Sequence, residues 1–187
     1  MPSPTRRPTP RILALTGFMG SGKSSVGREL AALAGYDFLD LDSVIEAGQQ
    51  HTIAELFRLQ GEPRFRELEG EALRQTLDQA DRPLILALGG GAFVQPANAE
   101  LLRARAVPVV FLETPIEVLL RRCFEEGTAD ESASRPLAAD REAFLRLYQH
   151  RLPHYRKADV RVDAAGKSAS VIAREIATAF GLGPGNG

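Results

Sequence analysis

Eight residues near the start of the chain have the types and the spacing of a loop that binds phosphate. They read Gly17-Phe18-Met19-Gly20-Ser21-Gly22-Lys23-Ser24 and match the pattern G-x-x-x-x-G-K-[ST]. In this pattern the glycines let backbone N–H groups close around phosphate oxygens, the lysine reaches the terminal phosphates, and the serine hydroxyl is a ligand for Mg²⁺. We therefore predict a nucleoside triphosphate site. The predicted ATP-binding residues in this stretch are Gly20, Ser21, Gly22, Lys23, Ser24 and Ser25.

The residues on either side of the loop predict the strand and the helix that position it. A short apolar run, 12–15, comes before the loop, and 25–33 has the pattern of a helix. The N-terminal end of such a helix favours an anion, because its first N–H groups have no partner within the helix. This context argues against a glycine-rich turn that binds nothing. A dinucleotide loop of the pattern G-x-G-x-x-G is also disfavoured, because its third glycine is missing at Ser25.

Apolar runs and helical segments alternate along the rest of the chain. Strands are predicted at 36–39, 84–88, 107–112 and 160–162, each followed by a helical segment. This alternation is typical of a parallel sheet that is covered by helices on both faces. We predict an α/β fold, a three-layer sandwich with a central five-stranded parallel sheet. One domain is predicted over 11–180, with a lid at about 127–139 and flexible tails at 1–10 and 181–187.

Several local signals predict where the helices begin and end. Gly35 predicts the end of the helix that follows the phosphate loop. Thr52 and Glu55 have the spacing of a capping box. The stretch Gly61-Glu62-Pro63 predicts a break between two helices. Asp42 or Ser43 is predicted to cap the short helix that comes before Thr52.

Two aspartates follow the second predicted strand, where a ligand of a parallel sheet binds. Asp40 and Asp42 are two residues apart, so in an extended stretch their side chains point the same way. One carboxylate could hold Mg²⁺, and the other could orient an acceptor hydroxyl or take its proton. The strand at 84–88 has no acidic residue, so Asp40 is the nearest candidate for the metal. For Asp42, a helix cap alone is the alternative.

Glycines and arginines supply further candidates for the same edge of the sheet. Gly89, Gly90 and Gly91 follow an apolar strand and indicate close approach of a substrate rather than an unconstrained turn. Arginine side chains bind carboxylates and phosphates through two parallel hydrogen bonds. The candidates are Arg66, Arg135 in the predicted lid, and Arg151. Each of them taken singly is more often a solvated surface residue, and spacing alone does not distinguish the two interpretations.

The composition of the chain limits its partners. The 187 residues carry a formal net charge of −1, which provides no general electrostatic surface for nucleic acid or membrane. No apolar run approaches the ~18 residues of a transmembrane helix. The segment 1–10 lacks the apolar core of a signal peptide, so we predict a cytoplasmic protein. The single cysteine, Cys123, cannot form an intramolecular disulfide and is predicted to be a packing residue.

Six short motifs, in order between residues 11 and 180, together resemble the shikimate kinase family. They are Gly17 to Ser24, Phe38-Leu39-Asp40-Leu41-Asp42, Gly61-Glu62 with Phe65-Arg66 and Glu69, Leu88-Gly89-Gly90-Gly91-Ala92, Arg135-Pro136-Leu137, and Arg151-Leu152-Pro153-His154-Tyr155. The resemblance implies a P-loop kinase fold with a lid. It also implies that ATP phosphorylates shikimate at its 3-hydroxyl, giving shikimate 3-phosphate and ADP in chorismate and aromatic amino-acid biosynthesis.

The resemblance further implies roles for particular residues. It implies that Asp42, Lys23 and Arg135 are catalytic, that Arg122 and Arg135 belong to the ATP site, and that Ser24 and Asp40 serve Mg²⁺. The residues that it implies for shikimate are Asp42, Arg66, Gly89, Gly90, Gly91 and Arg151. Lys167 is a weak candidate for a contact with adenine. ATP and shikimate are the implied partners, and the protein is expected to be a monomer.

Two other functions remain open on the sequence. A gluconate kinase or nucleoside-monophosphate kinase also needs arginines for an anionic acceptor, but the Asp-x-Asp and triple-glycine pair argues against it. A P-loop module without catalysis would bind nucleotide and show no turnover that depends on an acceptor. A candidate base, Lys23 and a lid arginine argue against that alternative.

Overall fold

Five parallel strands form one sheet at the centre of the molecule. The computed structural model describes residues 9–126 and 140–183. The strands are β1 Ile12–Thr16, β2 Asp37–Asp40, β3 Leu84–Ala87, β4 Val109–Glu113 and β5 Val160–Asp163. Their order across the sheet is β2-β3-β1-β4-β5, and neighbouring strands are parallel. The predicted α/β fold with a five-stranded parallel sheet is confirmed.

Helices cover both faces of the sheet. In the described part of the chain they are α1 Lys23–Ala34, α2 Leu41–Gln49, α3 Ile53–Gln79, α4 Pro96–Ala104, α5 Ile116–Leu120, α6 Arg141–Tyr155 and α7 Ala169–Phe180. On one face, Leu15 of β1 packs with Leu30 of α1 and Ile176 of α7. The helices α2 to α6 cover the other face and bury side chains such as Phe65 and Phe144. The predicted three-layer sandwich is therefore confirmed.

Local sequence signals explain several helix boundaries. Gly35 ends α1 in the left-handed conformation, at φ 71°. Thr52 begins α3 with a capping box, because its hydroxyl accepts from the N–H of Glu55 and the Glu55 carboxylate accepts from the N–H of Thr52. Gly61, at φ 77°, interrupts the helical conformation of α3 just before Pro63. The predicted end at Gly35, capping box at Thr52 and break at Gly61 are confirmed.

The step from β2 to α2 differs from its prediction. β2 runs to Asp40, and α2 begins at the next residue without a loop. The Asp40 carboxylate accepts a hydrogen bond from the N–H of Asp42 at 3.0 Å, so Asp40 caps α2 in place of Asp42 or Ser43. Asp42 lies in the first helical turn. The extended stretch predicted from Asp40 to Asp42 is therefore wrong, because a helix begins there at once.

Some predicted segments lie outside the described residues. They include the lid at 127–139 with Arg135, and the tails except for 9–10 and 181–183. The domain limits, the lid and the tails therefore stay predictions. Immediately before residue 127, α5 continues into a π-helical turn, Arg121–Glu125. Within 9–126 and 140–183, no helix combines the length and the apolar character that crossing a membrane requires.

Candidate active site

A cleft of about 370 Å³ opens where the strands of the sheet end. The phosphate loop, the end of β2, the residue after β3 and the loop between β5 and α7 all contribute to its lining. The predicted residues that line it are Gly20, Ser21, Gly22, Lys23, Ser24, Ser25, Asp40, Asp42, Gly90 and Arg122. The structure therefore brings together the loop, both aspartates, one residue of the glycine triplet and Arg122.

The phosphate loop presents backbone N–H groups to this cleft. Gly20 and Gly22 have φ values of 77° and 85°, a left-handed conformation that favours glycine. Gly22 is the N-cap of α1, and among the described residues no side chain caps this helix. The first N–H groups of an uncapped helix end, together with the helix dipole, make a site for an anion such as a phosphate.

Two cations at the cleft hold the loop in shape. Lys23 Nζ donates to the carbonyl oxygen of Phe18 at 3.1 Å. Arg122 Nη1, from the π-helical turn, donates to the carbonyl oxygen of Gly20 at 2.9 Å. Both side chains also line the cleft, so their positive charge is directed at the place where phosphates would lie. Cys123 packs on the loop as well, because a Cβ on Gly20 would lie 2.8 Å from its sulfur.

Asp40 joins the phosphate loop to α2. Its Oδ2 accepts a hydrogen bond from Ser24 Oγ at 2.7 Å, while its Oδ1 caps α2 through the N–H of Asp42. A hydroxyl and a carboxylate side by side are the hard oxygen donors that Mg²⁺ prefers. The pair therefore fits the donor chemistry that the sequence predicts for it.

The glycine triplet gathers charged side chains beside the cleft. A Cβ on Gly89 would lie under 3.0 Å from the Asp42 carboxylate and 3.3 Å from Glu69 Oε1. A Cβ on Gly91 would lie under 3.0 Å from the guanidinium of Arg66. Any larger residue at these two positions would push these side chains aside. The triplet thus lets a carboxylate and a guanidinium of the protein approach the backbone closely. The predicted close approach of a substrate stays a prediction.

Arg66 is held by two carboxylates of α3. Its Nη1 donates to Glu69 Oε2 at 3.0 Å, and its Nε and Nη2 donate to Glu62 Oε1 at 3.2 and 2.9 Å. Glu69 is buried with 1% of its side chain exposed, whereas Glu62 is exposed. Burial by itself lowers the pKa of Arg66, but the charge of Glu69 and the hydrogen bonds to Glu62 and Glu69 outweigh it and raise the pKa. Arg66 is therefore a fixed cation.

Helix α6 brings a second arginine to the same glycines. Arg151 is buried, and its Nη1 donates to the carbonyl oxygen of Gly90 at 3.0 Å. Its guanidinium also lies 5.9 Å from the ring centroid of Phe18 in the phosphate loop. Tyr155, one helical turn further on, donates its hydroxyl to the same Gly90 oxygen. Arg66 and Arg151 thus both contact the glycine triplet, although they are far apart in sequence.

Comparison with known proteins identifies the family. The family model described as shikimate kinase matches residues 19–180. The chain belongs to the shikimate kinase family. It is 43% identical over 171 residues to the shikimate kinase of Geobacter sulfurreducens, covering 90% of each chain. It is 40% identical over 184 residues to that of Salinibacter ruber, covering 94% of this chain and 89% of the relative.

A solved structure agrees with this assignment. The shikimate kinase of Acinetobacter baumannii, in complex with shikimate, superposes with a TM-score of 0.77 at 34% identity. The match covers 88% of this chain and 89% of that one. Both the resemblance drawn from the six motifs and the P-loop kinase fold are confirmed.

The shikimate kinase site contains residues to which the sequence patterns assign no role. Glu69 follows Arg66 by three residues, and Tyr155 follows Arg151 by four, so each pair shares one helix face. The spacing of three could have predicted the ion pair of Glu69 with Arg66, whereas the spacing of four does not reveal that Tyr155 contacts Gly90. Lys167 lines the cleft and forms an ion pair with Glu175 at 2.9 Å. Arg135 lies outside the described residues.

Proposed function

We propose that this chain transfers the γ-phosphoryl group of ATP to the 3-hydroxyl of shikimate, giving shikimate 3-phosphate and ADP. One observation carries the proposal beyond family membership: the phosphate cleft and the cluster of charged side chains share Asp42 and Gly90. An acceptor bound among the charged side chains would therefore lie next to the terminal phosphate. Direct transfer between two bound substrates requires this proximity.

The charged cluster suits a small acid that carries hydroxyl groups. Arg66 and Arg151 are cations beside one stretch of backbone, and guanidinium groups bind a carboxylate with two hydrogen bonds. The Asp42 carboxylate beside Gly89 accepts hydrogen bonds from hydroxyl groups. We assign the shikimate carboxylate to Arg66 and Arg151, and its hydroxyl groups to Asp42 with the backbone of Gly89, Gly90 and Gly91.

Asp42 is also the group that we assign to the acceptor hydroxyl during transfer. It lines the cleft, so it can orient that hydroxyl toward the phosphate and accept its proton. Lys23 would stabilise charge on the transferring group, and the same role is assigned to Arg135 of the predicted lid. Arg122 lines the cleft and is assigned to ATP, with the adenine end as the family resemblance implies. Gly20 to Ser25 would bind the phosphates through backbone N–H groups.

We assign Mg²⁺ to Ser24 and Asp40. Their oxygens lie 2.7 Å apart next to the phosphate loop, and oxygen donors of this kind suit the ion. When bound, Mg²⁺ neutralises part of the charge on the β- and γ-phosphates. We also propose that the enzyme acts as a monomer in the cytoplasm, where ATP is supplied. Light scattering of the purified protein would test the monomer.

A panel of acceptors tests the proposed reaction. The release of ADP is measured with shikimate, gluconate or AMP at equal concentrations, with and without EDTA. We expect turnover with shikimate only, and its loss in EDTA until Mg²⁺ is added back. Faster turnover with gluconate or AMP would make this chain a different small-molecule kinase. Nucleotide binding without turnover of any acceptor would favour a module without catalysis.

A further inference from the structure

The carbonyl oxygen of Gly90 receives two hydrogen bonds from one helix. Arg151 Nη1 donates to it at 3.0 Å, and the hydroxyl of Tyr155 donates to the same oxygen. Arg151 and Tyr155 are four residues apart, so both face the glycine triplet from one side of α6. A backbone oxygen can accept two hydrogen bonds, and here both positions are filled by buried side chains.

Tyr155 cannot contact a substrate in the cleft, because its side chain is completely buried. Its ring lies against that of Phe111 on β4, with centroids 5.3 Å apart and an angle of 27° between the planes. This contact fixes the ring against the sheet, so the hydroxyl is held in place independently of the glycines. The hydrogen bond to Gly90 is therefore a route by which that hydroxyl can act on the reaction.

Fixing the Gly90 carbonyl also fixes the peptide that follows it. The peptide unit is planar and trans, so the direction of the Gly90 oxygen sets the direction of the Gly91 N–H. Gly91 is the residue that packs against the guanidinium of Arg66. The single peptide between Gly90 and Gly91 thus contacts Arg151 through its oxygen and Arg66 through the next Cα. Three consecutive glycines would otherwise leave this peptide with unusual freedom.

We propose that Tyr155 is a positioning residue that sets the spacing between Arg66 and Arg151 through the peptide between Gly90 and Gly91. The proposal rests on the proposed function, in which the two arginines bind the carboxylate of the acceptor. Its consequence is selective: loss of the hydroxyl should weaken binding of the carboxylate more than binding of ATP. Gly90 also lines the cleft, but the residues assigned to ATP lie in the phosphate loop and the π-helical turn.

The test is Tyr155→Phe, which keeps the ring and its contact with Phe111. We expect the KM for shikimate to rise roughly fivefold to fifteenfold, the effect of one net hydrogen bond, and the KM for ATP to stay the same. Tyr148→Phe is the matched control, because Tyr148 also lies on α6 but its hydroxyl donates to the carbonyl oxygen of Thr114. This control should leave the KM for shikimate unchanged.

A second acceptor distinguishes a positioning role of Tyr155 from a general loss of folded structure. Methyl shikimate has no carboxylate charge, so the spacing of the arginines should matter much less for it. Wild type and Tyr155→Phe should therefore have similar KM values for methyl shikimate.

A double-mutant cycle with Arg151→Lys should also be non-additive for shikimate, because both side chains act on one oxygen. If the variant is partly unfolded, shikimate binding is measured at low temperature with saturating ATP analogue, which stabilises the folded state.

Different outcomes separate this proposal from the proposed function. If wild type does not phosphorylate shikimate, the proposed function fails. If wild type does so and Tyr155→Phe has an unchanged KM for shikimate, the positioning role of Tyr155 is wrong. Equal increases in the KM for ATP, shikimate and methyl shikimate would also overturn it, because they would indicate a purely structural role.

Discussion

At the scale of single residues, backbone positions without side chains determine where the charges of the site lie. Gly89 leaves room for the carboxylates of Asp42 and Glu69, and Gly91 leaves room for the guanidinium of Arg66. A carboxylate and a guanidinium are thus held on two sides of one short backbone stretch. A polyhydroxylated acid needs this arrangement, because its hydroxyl groups and its carboxylate must be bound at different ends.

The substitution Asp42→Asn tests the assignment of the proton acceptor. It keeps the size of the side chain but removes its charge, so kcat with shikimate should fall by about a hundredfold or more. Binding of ADP, measured by calorimetry, should remain, because the phosphate loop is unchanged. Near-normal kcat would mean that Asp42 is not the group that acts on the acceptor hydroxyl.

The substitution Gly91→Ala tests the close approach of Arg66. Gly91 has φ −111°, which alanine also adopts, so the added methyl group acts by displacing the guanidinium and not by straining the backbone. We expect the KM for shikimate to rise roughly tenfold, as for the loss of about one charge-assisted hydrogen bond.

The control for this substitution is Gly48→Ala on α2. A Cβ at Gly48 would meet no atom within 4 Å. This variant should be more stable by about 0.5–1 kcal/mol, because alanine favours helix, and its KM values should not change. If Gly91→Ala behaves like Gly48→Ala in the shikimate assay, Arg66 does not depend on the glycine.

At the scale of helices and strands, most of the architecture could be predicted from sequence, and the failures have physical causes. Apolar runs predict the strands, and Gly35, Thr52 and Gly61 predict their helix ends because each has a specific local conformation. The sequence places the cap of α2 two or three residues too late, at Asp42 or Ser43, since no local signal indicates that α2 follows β2 without a loop. For Arg121–Glu125 the sequence predicts only a helix, because the side chains do not indicate whether each N–H bonds to the carbonyl four or five residues earlier.

Some residues of the candidate site could likewise be predicted from sequence, and others could not. Lys23 and Ser24 follow β1 and Asp40 ends β2, so their meeting at the carboxyl ends of the strands could be predicted from the rule for parallel sheets. The role of Tyr155 depends on a contact between distant parts of the chain, unlike the ion pair of Arg66 and Glu69 within α3. The hydroxyl of Tyr155 meets Gly90 across the interior of the protein, and no local pattern specifies such a pair.

The capping box of α3 provides a prediction at this scale. Thr52→Ala removes a hydroxyl that accepts from the N–H of Glu55, so the free energy of unfolding should fall by about 1 kcal/mol. Urea denaturation measures this loss, and the KM values should stay the same. Thr178→Ala is the control, because the exposed Thr178 hydroxyl only donates to a carbonyl of its own helix. An equal loss of stability in both variants would contradict the role of the cap.

At the scale of the whole molecule, both proposed substrates bind to elements that come from distant parts of the chain. The cleft lining includes residues from the phosphate loop to Ile172 of α7, and the charged cluster combines α2, α3 and α6 with the end of β3. A ligand at either place should therefore stabilise the entire fold and not a single segment.

Thermal unfolding tests this expectation. At concentrations a hundred times the Kd, ADP and shikimate should each add about 2.7 kcal/mol to the free energy of unfolding. Each should raise Tm with a single transition, and gluconate at the same concentration should leave Tm unchanged. Separate transitions, only one of which responds to a ligand, would show that the described elements do not unfold together.

The central position of β1 has a consequence for how the chain folds during its synthesis. β1 pairs with β3 on one side, where Ile12 lies opposite Leu84, and with β4 on the other, where Ala14 lies opposite Val109. Helix α1 packs with α7. A nascent chain cannot complete these pairings until the residues of β4 and α7 have left the ribosome. The phosphate loop is therefore translated before these elements, but the strand and the helix that flank it can complete their packing only once β4 and α7 are present. A chain arrested before α7 would carry every residue of the loop without the packing that holds the loop in place.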